Sequence, residues 1–352
     1  MELSNSSFNI CYEIAQLQDS ELTIEILRKY HDFCSPIDVF MESLQVRIIL
    51  CLCYSLIFIG AFLGNFLILT VIVLDSSLHS HTNFLLANFT FSDLLFSIFC
   101  ILARTVDIVM KSWIFGEIIC KIYGCLMHVT GCASIIFMTL VAFERFIAIV
   151  YPLKRRVILT KSSLIIAAIF GWIASLSGCK YFYALYYLYA AGTNKNNCVQ
   201  QISNVFPFVV VIGFFILPMI CFSITYGLII KSMLRSARIV KMNSAYSEKI
   251  ARKQRASRVN VIKMLVAFVS TFFICNLPRQ LNNFLYLAPI NEEFTNLFMI
   301  VAQLMFFANS AINPFIYIAF SSAYQRAIKD IFCHRSNKNN SHTLISNVKV
   351  SR

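Results

Sequence analysis

The sequence predicts an all-α membrane protein, a seven-transmembrane helix bundle with a short amphipathic helix after the seventh span. The first observation is composition: of 352 residues, 58% are hydrophobic and only 13% are charged, and the mean hydropathy is +0.71. A soluble chain carries about 25% charged residues. The second is that apolar segments long enough to cross a bilayer recur along the chain. The third is that basic residues concentrate in alternate connections between those segments.

The first 45 residues are polar and form the predicted external tail. Eight of the chain's 17 acidic residues lie here, against only two basic ones. The segment contains no basic stretch followed by an apolar core, so we expect no cleavable signal peptide. Asn5-Ser6-Ser7 matches an N-glycosylation acceptor if the tail is extracellular, although so short a pattern also occurs by chance. Asn88-Phe89-Thr90 matches the same acceptor pattern, but it lies inside an apolar segment, where no glycan is expected.

Seven apolar segments follow the tail, and short connections between them predict one bundle without a repeat or second domain. Their expected bounds are 48–74, 83–106, 118–150, 163–180, 204–230, 260–287 and 294–320. The chain therefore divides into an extracellular tail (1–45), the bundle (46–320), a membrane-surface helix (321–333) and a cytoplasmic tail (334–352).

The basic residues predict the orientation of this bundle. Twenty of the 30 lysines and arginines lie after the third segment, around the fifth-to-sixth connection, or after the seventh segment. Basic connections stay on the cytoplasmic side. The sequence therefore predicts a multi-pass plasma-membrane protein with an extracellular N-terminus. The formal charge of +13 follows from this topology, so no nucleic-acid partner is expected.

An amphipathic helix is predicted after the seventh segment. Tyr324, Ile328 and Ile331 recur at helical spacing among basic residues, a pattern typical of a helix lying on membrane lipids. Cys333 at its end is a candidate palmitoylation site, and an unmodified cysteine is the alternative.

The third segment carries the most informative motif. It opens with Cys120 and contains Glu144-Arg145-Phe146 near its inner end. Adjacent charges within an apolar helix are costly in hydrocarbon and usually functional. A surface ion pair just past the membrane edge is the alternative.

Short motifs occur in order along all seven segments. They are Gly64-Asn65, Leu86-Ala87, Asp93-Leu94-Leu95, Trp113-Ile114-Phe115-Gly116, Glu144-Arg145-Phe146, Trp172, Pro218, Tyr226, Phe272, Cys275-Asn276-Leu277-Pro278, Asn309-Ser310 and Asn313-Pro314-Phe315-Ile316-Tyr317. In this combination the chain resembles rhodopsin-like (class A) G-protein-coupled receptors, and its pattern is most similar to neuropeptide receptors. No phosphate-binding glycine loop, zinc pair or nucleophile elbow was found, so an enzyme is not expected. Seven unequal segments without a repeat also disfavour a transporter.

The resemblance implies a disulfide between Cys120 and Cys198, and coupling to a heterotrimeric G protein and arrestin through outward movement of the sixth helix. The residues that it assigns to coupling and switching are Glu144, Arg145, Phe146, Tyr226, Phe272, Asn276, Pro278, Asn313, Pro314 and Tyr317. Asn276 departs from the family pattern, since it stands where a tryptophan is usual. The stretch around Arg258 is basic where an acidic latch residue is usual, and high basal activity is one hypothesis that follows.

Asp93 is a carboxylate in mid-bilayer, which needs a cation, a proton or hydrogen-bond donors. The resemblance places an allosteric sodium ion here, although a protonated or amide-paired aspartate is the alternative. No other cofactor is expected. The sodium ligands that the resemblance implies, with Asn65 nearby, are Asp93, Ser134, Asn309, Ser310 and Asn313.

The ligand is expected to be a peptide. Met127 stands where amine receptors carry an aspartate, and Phe307 stands where opsins carry their lysine. The acidic tail and the Trp113 loop favour a basic neuropeptide; a tail without a ligand role is the alternative. Two alternatives to a peptide receptor are left open. One is a receptor for a lipid or small carboxylate held by Arg104 and Arg279, and the other is a constitutively active orphan receptor. The candidate ligand-binding residues are Arg104, Asp107, Met127, His128, Gly131, Arg279, Gln280, Asn283 and Gln303.

The other cysteines divide into two groups. Cys11 and Cys34 form a second external pair whose bonding is left open. The remaining cysteines within the segments are interpreted as small packing residues; they are Cys51, Cys53, Cys100, Cys125, Cys132, Cys221 and Cys275.

Overall fold

The computed structural model describes residues 44–190, 196–200, 206–240, 248–285 and 292–331. Within these residues, seven helices are long and apolar enough to cross a membrane, which confirms the predicted fold class. The predictions for Asn5, Cys11, Cys34 and Cys333 lie outside the described residues, as does that for the side chain of Asn283.

The helices run in chain order. They are α1 (Leu44–Leu74), α2 (His81–Met110), α3 (Gly116–Val150), α4 (Lys161–Ser177, continued by Cys179–Leu185), α5 (Phe206–Val211, Ile212–Ile216 and Leu217–Val240), α6 (Glu248–Leu285), α7 (Glu292–Phe320) and α8 (322–331).

The helix ends differ from the predicted segment bounds, most of all in α6. This helix begins at Glu248 rather than at residue 260. The added turns are rich in lysine and arginine, which are good helix formers although they are not apolar. Hydropathy therefore located the membrane-crossing part of α6 but not its start.

Several helices are interrupted by features that bend them. The π-helical turns lie at Ser97–Ile101 in α2 and at Ile212–Ile216 in α5. Pro278 lies within α6 and Pro314 within α7, and each proline removes one backbone hydrogen bond. Kinks arise at prolines and π-turns, so bends are expected in α2, α5, α6 and α7.

Burial places α2 and α3 at the centre of the bundle. Of the most apolar window of each helix, 56% is buried in α2 and 44% in α3, against 22% in α4 and α5. The exposed apolar side chains of α1, α4 and α5 therefore face lipid, where they need no partner. The polar side chains of α2 and α3 point into the protein instead.

Close helix contact fixes α7 against α1. A Cβ placed on Gly64 would lie 2.7 Å from Cγ of Pro314, so only glycine permits this approach. Asn65, next in sequence, is fully buried and donates from Nδ2 to the main-chain oxygen of Ser310 at 3.0 Å. The Gly64-Asn65 motif thus joins α1 to the polar part of α7.

A two-stranded hairpin lies between α4 and α5. Strand β1 (Tyr186–Ala190) pairs antiparallel with β2 (Asn196–Gln200), with Leu188 opposite Cys198. Cys198 is bonded to Cys120 of α3, the pair that the resemblance implies, with Cα atoms 5.5 Å apart. The hairpin is therefore attached to the outer end of α3.

One cysteine prediction is wrong. Cys125 was interpreted as a packing residue, but it is bonded to Cys179 at the outer end of α4, with Cα atoms 4.9 Å apart. Among the described residues, the other six predicted packing cysteines are free: Cys51, Cys53, Cys100, Cys132, Cys221 and Cys275.

Candidate functional site

A cavity of about 140 Å³ runs from the hairpin into the centre of the bundle. It brings together residues from both the predicted ligand set and the predicted sodium set. The predicted residues that line it are Met127, His128, Gly131, Phe272, Asn276, Arg279 and Gln280 in the outer part, and Asp93, Ser134, Asn309 and Ser310 in the deep part. A ligand in this cavity would therefore lie directly above the buried polar cluster.

Three predicted ligand residues lie outside the lining of this cavity, namely Arg104, Asp107 and Gln303. Arg104 forms an ion pair with Asp107, one turn further along α2. Arg104 is also hydrogen-bonded to the buried Tyr54 of α1. Asp107 neutralises the charge of Arg104 within the protein, although its buried Nε has no hydrogen-bond partner among the described residues, so Arg104 is less suited to an anionic ligand than Arg279.

Arg279 is the cation of the outer cavity. Its guanidinium carbon lies 4.2 Å from the centre of the Phe306 ring, and the group is hydrogen-bonded to Tyr186 of the hairpin. Burial raises the pKa of Tyr186, so its hydroxyl stays protonated at neutral pH. No carboxylate among the described residues lies within 4.0 Å of Arg279. The outer cavity therefore carries a positive charge with no carboxylate of the described residues paired to it.

His128 is part of an aromatic stack. Its ring is parallel to that of Phe182, with ring centres 4.0 Å apart, and Phe214 of α5 lies edge-on at 5.7 Å. Cys132, one turn further along α3, has its sulfur 3.5 Å from Nε2 of His128. The imidazole is therefore held in one orientation on the cavity wall.

Aromatic residues of this wall were missed from sequence. Phe182 comes from the last turns of α4, Tyr186 from the start of β1, Phe214 from α5 and Phe306 from α7. The only signal was the aromatic density of residues 181–189, which does not indicate which ring faces inwards.

Asp93 is the centre of the deep polar cluster and is only 3% exposed. Asn313 donates from Nδ2 to its Oδ2 at 2.6 Å, and Ser134 donates from Oγ to its Oδ1 at 3.3 Å. Ser310 donates to the main-chain oxygen of Asp93 at 3.3 Å. The cluster thus links α2, α3 and α7, and through Asn65 it also reaches α1.

The residues of this cluster fit a sodium ion. Buried amide oxygens without a hydrogen-bond partner among the described residues occur on Asn65, Asn309 and Asn313. An unpartnered buried acceptor is costly, and hard oxygen donors suit a hard cation. Asp93 with Ser134, Asn309, Ser310 and Asn313 would hold the ion, which supplies a positive charge opposite the carboxylate.

The charged triplet forms a second cluster at the inner end of α3. Arg145 donates from Nη2 to Oε1 of Glu144 at 2.9 Å and from Nε to Oε2 at 2.5 Å. Thr82 of α2 donates to the same Oε2 at 2.9 Å. Glu144 is 1% exposed and Arg145 19%. Glu144 is therefore buried and joins α3 to α2 through Thr82, and its pair with the half-buried Arg145 is not the exposed surface pair that was the alternative.

Aromatic contacts link the polar cluster to α6. The ring centre of Tyr317 lies 4.9 Å from that of Phe268 on α6, and its hydroxyl lies 3.2 Å from Oγ1 of Thr90. The Tyr226 hydroxyl on α5 is buried with no hydrogen-bond partner among the described residues. Asn276 donates to the main-chain oxygen of Phe272 at 2.8 Å, so its amide bonds within α6.

The remaining switch residues lie where the sequence placed them on α3, α6 and α7. Phe146 contacts Tyr151 with ring centres 5.6 Å apart. Pro278 begins the last turns of α6, and Pro314 packs on Gly64.

Comparison with known proteins agrees with this geometry. Residues 64–317 match the model of the family described as "7 transmembrane receptor (rhodopsin family)". Galanin receptor 2b from Danio rerio is 27% identical over 319 residues, covering 87% of this chain and 82% of the relative. Histamine H2 receptor from Cavia porcellus is 25% identical, covering 88% of this chain and 85% of that receptor.

A solved structure shows the same fold. The crystal structure of squid rhodopsin superposes with a TM-score of 0.71 and 21% sequence identity, covering 82% of this chain and 85% of that one. The family and its members are receptors rather than enzymes. The chain belongs to the rhodopsin family of seven-transmembrane receptors, the class A G-protein-coupled receptors.

Proposed function

We propose that this receptor binds an extracellular neuropeptide in the cavity between α3, α5, α6 and α7 and activates a heterotrimeric G protein by outward movement of α6. It would do so in the plasma membrane, with its N-terminus outside the cell and α8 on the inner lipid leaflet. Arrestin would bind the same inner face, and no nucleic acid is involved.

The continuity of the cavity is the observation that carries this proposal. Its outer wall contains Tyr186 of the hairpin, and its deep end contains Asp93 and Asn309. A ligand that reaches the deep end would alter packing around the polar cluster that joins α1, α2, α3 and α7. Binding would then shift the population of helix arrangements to the extent that the ligand prefers one of them.

A peptide is favoured over an amine. Overall likeness alone does not decide between them, because the receptors that the chain resembles include both a galanin receptor and a histamine receptor. The third helix has Met127 at the amine-binding position, and among the described residues the only carboxylate that lines the cavity is the deep Asp93. The acidic tail would attract a cationic peptide and speed its arrival.

The movement of α6 is supported by what holds this helix. Phe268 packs on Tyr317 of α7, and Phe273 packs on Phe222 of α5 with ring centres 6.3 Å apart. Pro278 provides a point at which α6 bends. Breaking the aromatic contacts would let the inner half of α6 swing outwards and release Arg145 and Tyr226 towards the G protein.

The inner ends of α5 and α6 offer a surface for that partner. They line a second, apolar cavity of about 460 Å³ together with Phe320 of α7. Lys263 also lines it and is exposed. An amphipathic helix of the G protein with apolar residues on one face would fit such a groove.

A second candidate function is a receptor for a lipid or other small carboxylate. The observation that favours it is Arg279, whose positive charge lies in the cavity without a described carboxylate nearby. A carboxylate would pair with the guanidinium in a water-poor site, where such a hydrogen bond is strong.

The test is G-protein activation in cells that express the full chain, first without ligand and then with a library of basic peptides. A peptide response that is lost in Arg145→Ala but kept in Lys161→Gln, an exposed basic residue at the start of α4, supports the proposal. A parallel set of fatty acids and small carboxylates tests the second candidate, for which the response should be lost in Arg279→Gln.

The possible outcomes of these assays distinguish the candidate functions. A response to carboxylates alone would replace the peptide proposal by the second candidate. High signalling without ligand, unchanged by either library, would indicate a constitutively active receptor. Silence in every G-protein channel with normal surface expression would contradict G-protein coupling and leave arrestin-only signalling as the alternative.

A further inference from the structure

A second bond between α3 and the external segment distinguishes the outer half of this bundle. Cys125 lies five residues after Cys120 on α3, about 7.5 Å further along the helix axis. Cys120 is bonded to Cys198 in β2, and Cys125 is bonded to Cys179 at the end of α4. The two bridges therefore hold both ends of the segment 179–198 on one helix.

Two glycines permit the close approach that this arrangement needs. A Cβ on Gly178, the residue before Cys179, would overlap the ring of His128. A Cβ on Gly124, the residue before Cys125, would overlap the ring of Tyr186. The backbone of the external segment at Gly178 thus packs directly on a ring of α3, and the backbone of α3 at Gly124 packs directly on a ring of the external segment.

The bridge is continued by the contact that forms the cavity wall. His128 lies three residues after Cys125, and Phe182 lies three residues after Cys179, so each pair shares a helix face. Their rings are stacked with centres 4.0 Å apart. The covalent contact and the ring stack are successive layers of one interface between α3 and the end of α4.

We propose that the Cys125–Cys179 bond is a native second disulfide that fixes the outer end of α4 to α3 and sets the position of Phe182 and Tyr186 in the cavity wall. With both bridges closed, the last turns of α4 and strand β1 lie between two covalent attachments to α3. The role of the Cys125–Cys179 bond in shaping a ligand site rests on the proposed function. The existence of the bond does not.

Formation of the bond is an ordinary thiol–disulfide exchange. The two thiols lose two protons and two electrons as the S–S bond forms, and a protein disulfide of the secretory compartment is reduced to a dithiol. Both cysteines lie at the outer ends of their helices, on the same side as the Cys120–Cys198 pair that the same oxidant would close.

The direct test is mass spectrometry of the full receptor, purified with free thiols alkylated and digested without reduction. We expect a linked species that contains Cys125 and Cys179 and is two hydrogen atoms lighter than the separate peptides. Alkylated Cys125 and Cys179 in folded receptor would overturn the proposal. A linked species without any peptide response in cells would leave the bond established and contradict only the proposal of a peptide ligand.

Thermal unfolding tests the same bond in a different way. Cys125→Ser, Cys179→Ser and the double variant should lower the Tm by the same amount, about 5–10 °C, because either single change already opens the bridge. Cys100→Ser is the control, since Cys100 is buried and free on α2 and its effect should add to that of Cys125→Ser. Additive losses from Cys125→Ser and Cys179→Ser would contradict a shared bond.

Hydrogen exchange reports the effect on the cavity wall. In the double variant, amides of Cys179–Leu185 and of β1 should exchange faster than in the parent, while those of α2 should not change. Unchanged exchange in Cys179–Leu185 would show that the stack of His128 and Phe182 needs no covalent support.

Discussion

At the residue scale, the polar cluster around Asp93 has more acceptors than donors. The carboxylate receives hydrogen bonds from Asn313 and Ser134, yet the amide oxygens of Asn65, Asn309 and Asn313 are buried without a described donor. Acceptors are left over in a site that already carries a negative charge. A cation satisfies them and balances the carboxylate, which is why we expect the ion to favour the arrangement seen here.

Asp93→Asn should abolish stabilisation by sodium. A ligand that binds only the folded receptor raises its unfolding free energy, so the Tm of purified parent receptor should rise by a few degrees when NaCl replaces KCl at equal ionic strength. Asp107→Asn is the matched control, because Asp107 is paired with Arg104 outside the cluster. A sodium-dependent rise that persists in Asp93→Asn would exclude the ion from this site.

Glu144→Gln should raise ligand-free signalling severalfold. The change removes the charge that holds Arg145 and weakens the contact with Thr82 of α2, so Arg145 is freer to face a G protein. Basal G-protein activation, normalised to surface expression, measures the effect. Glu117→Gln lies on the same helix in an exposed pair with Lys121 and should leave basal signalling unchanged. Equal signalling from parent and Glu144→Gln would mean that this pair is not a latch.

Residue patterns predicted the two polar clusters, around Asp93 and around Arg145, better than the cavity wall. Asp93, Asn313 and Arg145 belong to motifs whose chemistry is unusual in an apolar helix, so they stand out without a structure. Phe182 and Cys179 do not stand out, because aromatic residues and cysteines are common in this chain, and the sequence does not reveal which helix face meets α3. Cys125 was misread for the same reason.

At the element scale, glycine sets how closely α1 and α7 approach. A Cβ at Gly64 would lie within 2.8 Å of both Cβ and Cγ of Pro314, whose ring cannot move without shifting the bend of α7. One turn earlier on α1, a Cβ at Gly60 would lie 3.6 Å from Cβ of Ala311, an ordinary contact. A Cβ would therefore fit at Gly60 but not at Gly64, although both glycines lie on the same face of α1.

Gly64→Ala should destabilise the receptor by about 1–3 kcal/mol, the usual range for overpacking. Gly60→Ala should be neutral or slightly stabilising, because alanine is the better helix former and its methyl group fits. The Tm values of the two purified variants provide the comparison. A similar Tm for both would show that α1 adjusts freely and that the contact with Pro314 is not a constraint.

The seven membrane-spanning helices could be predicted because each apolar segment is long enough to cross a bilayer and is bounded by polar residues. The start of α6 at Glu248 was not, because hydropathy does not distinguish a basic helix in water from a basic loop. The π-turns at Ser97–Ile101 and Ile212–Ile216 could not be predicted either, because neither contains a proline or a pair of glycines. The second contains the single glycine Gly213.

At the scale of the whole molecule, the basic residues and the disulfides indicate the same orientation. The basic residues of the described inner ends lie with Arg145 and α8, whereas the hairpin and both disulfides lie at the opposite end of α3. Disulfides form on the extracellular side, so the hairpin end of the bundle is expected to face outwards. The disulfide positions support this orientation independently of the count of basic residues.

Glycosylation of Asn5 tests that orientation in cells. If the tail is extracellular, treatment with peptide N-glycosidase should increase the gel mobility of the receptor, and Asn5→Gln should show the treated mobility without the enzyme. Asn88→Gln is the matched control, because Asn88 accepts a hydrogen bond from Trp172 Nε1 at 3.0 Å within the bundle and is expected to carry no glycan. A shift that survives Asn5→Gln and disappears in Asn88→Gln would place α2 outside the membrane and contradict the seven-span topology. Glycosidase insensitivity of the parent, together with cytoplasmic protease access to the tail, would invert the orientation and with it the assignment of the hairpin cavity as the extracellular ligand site.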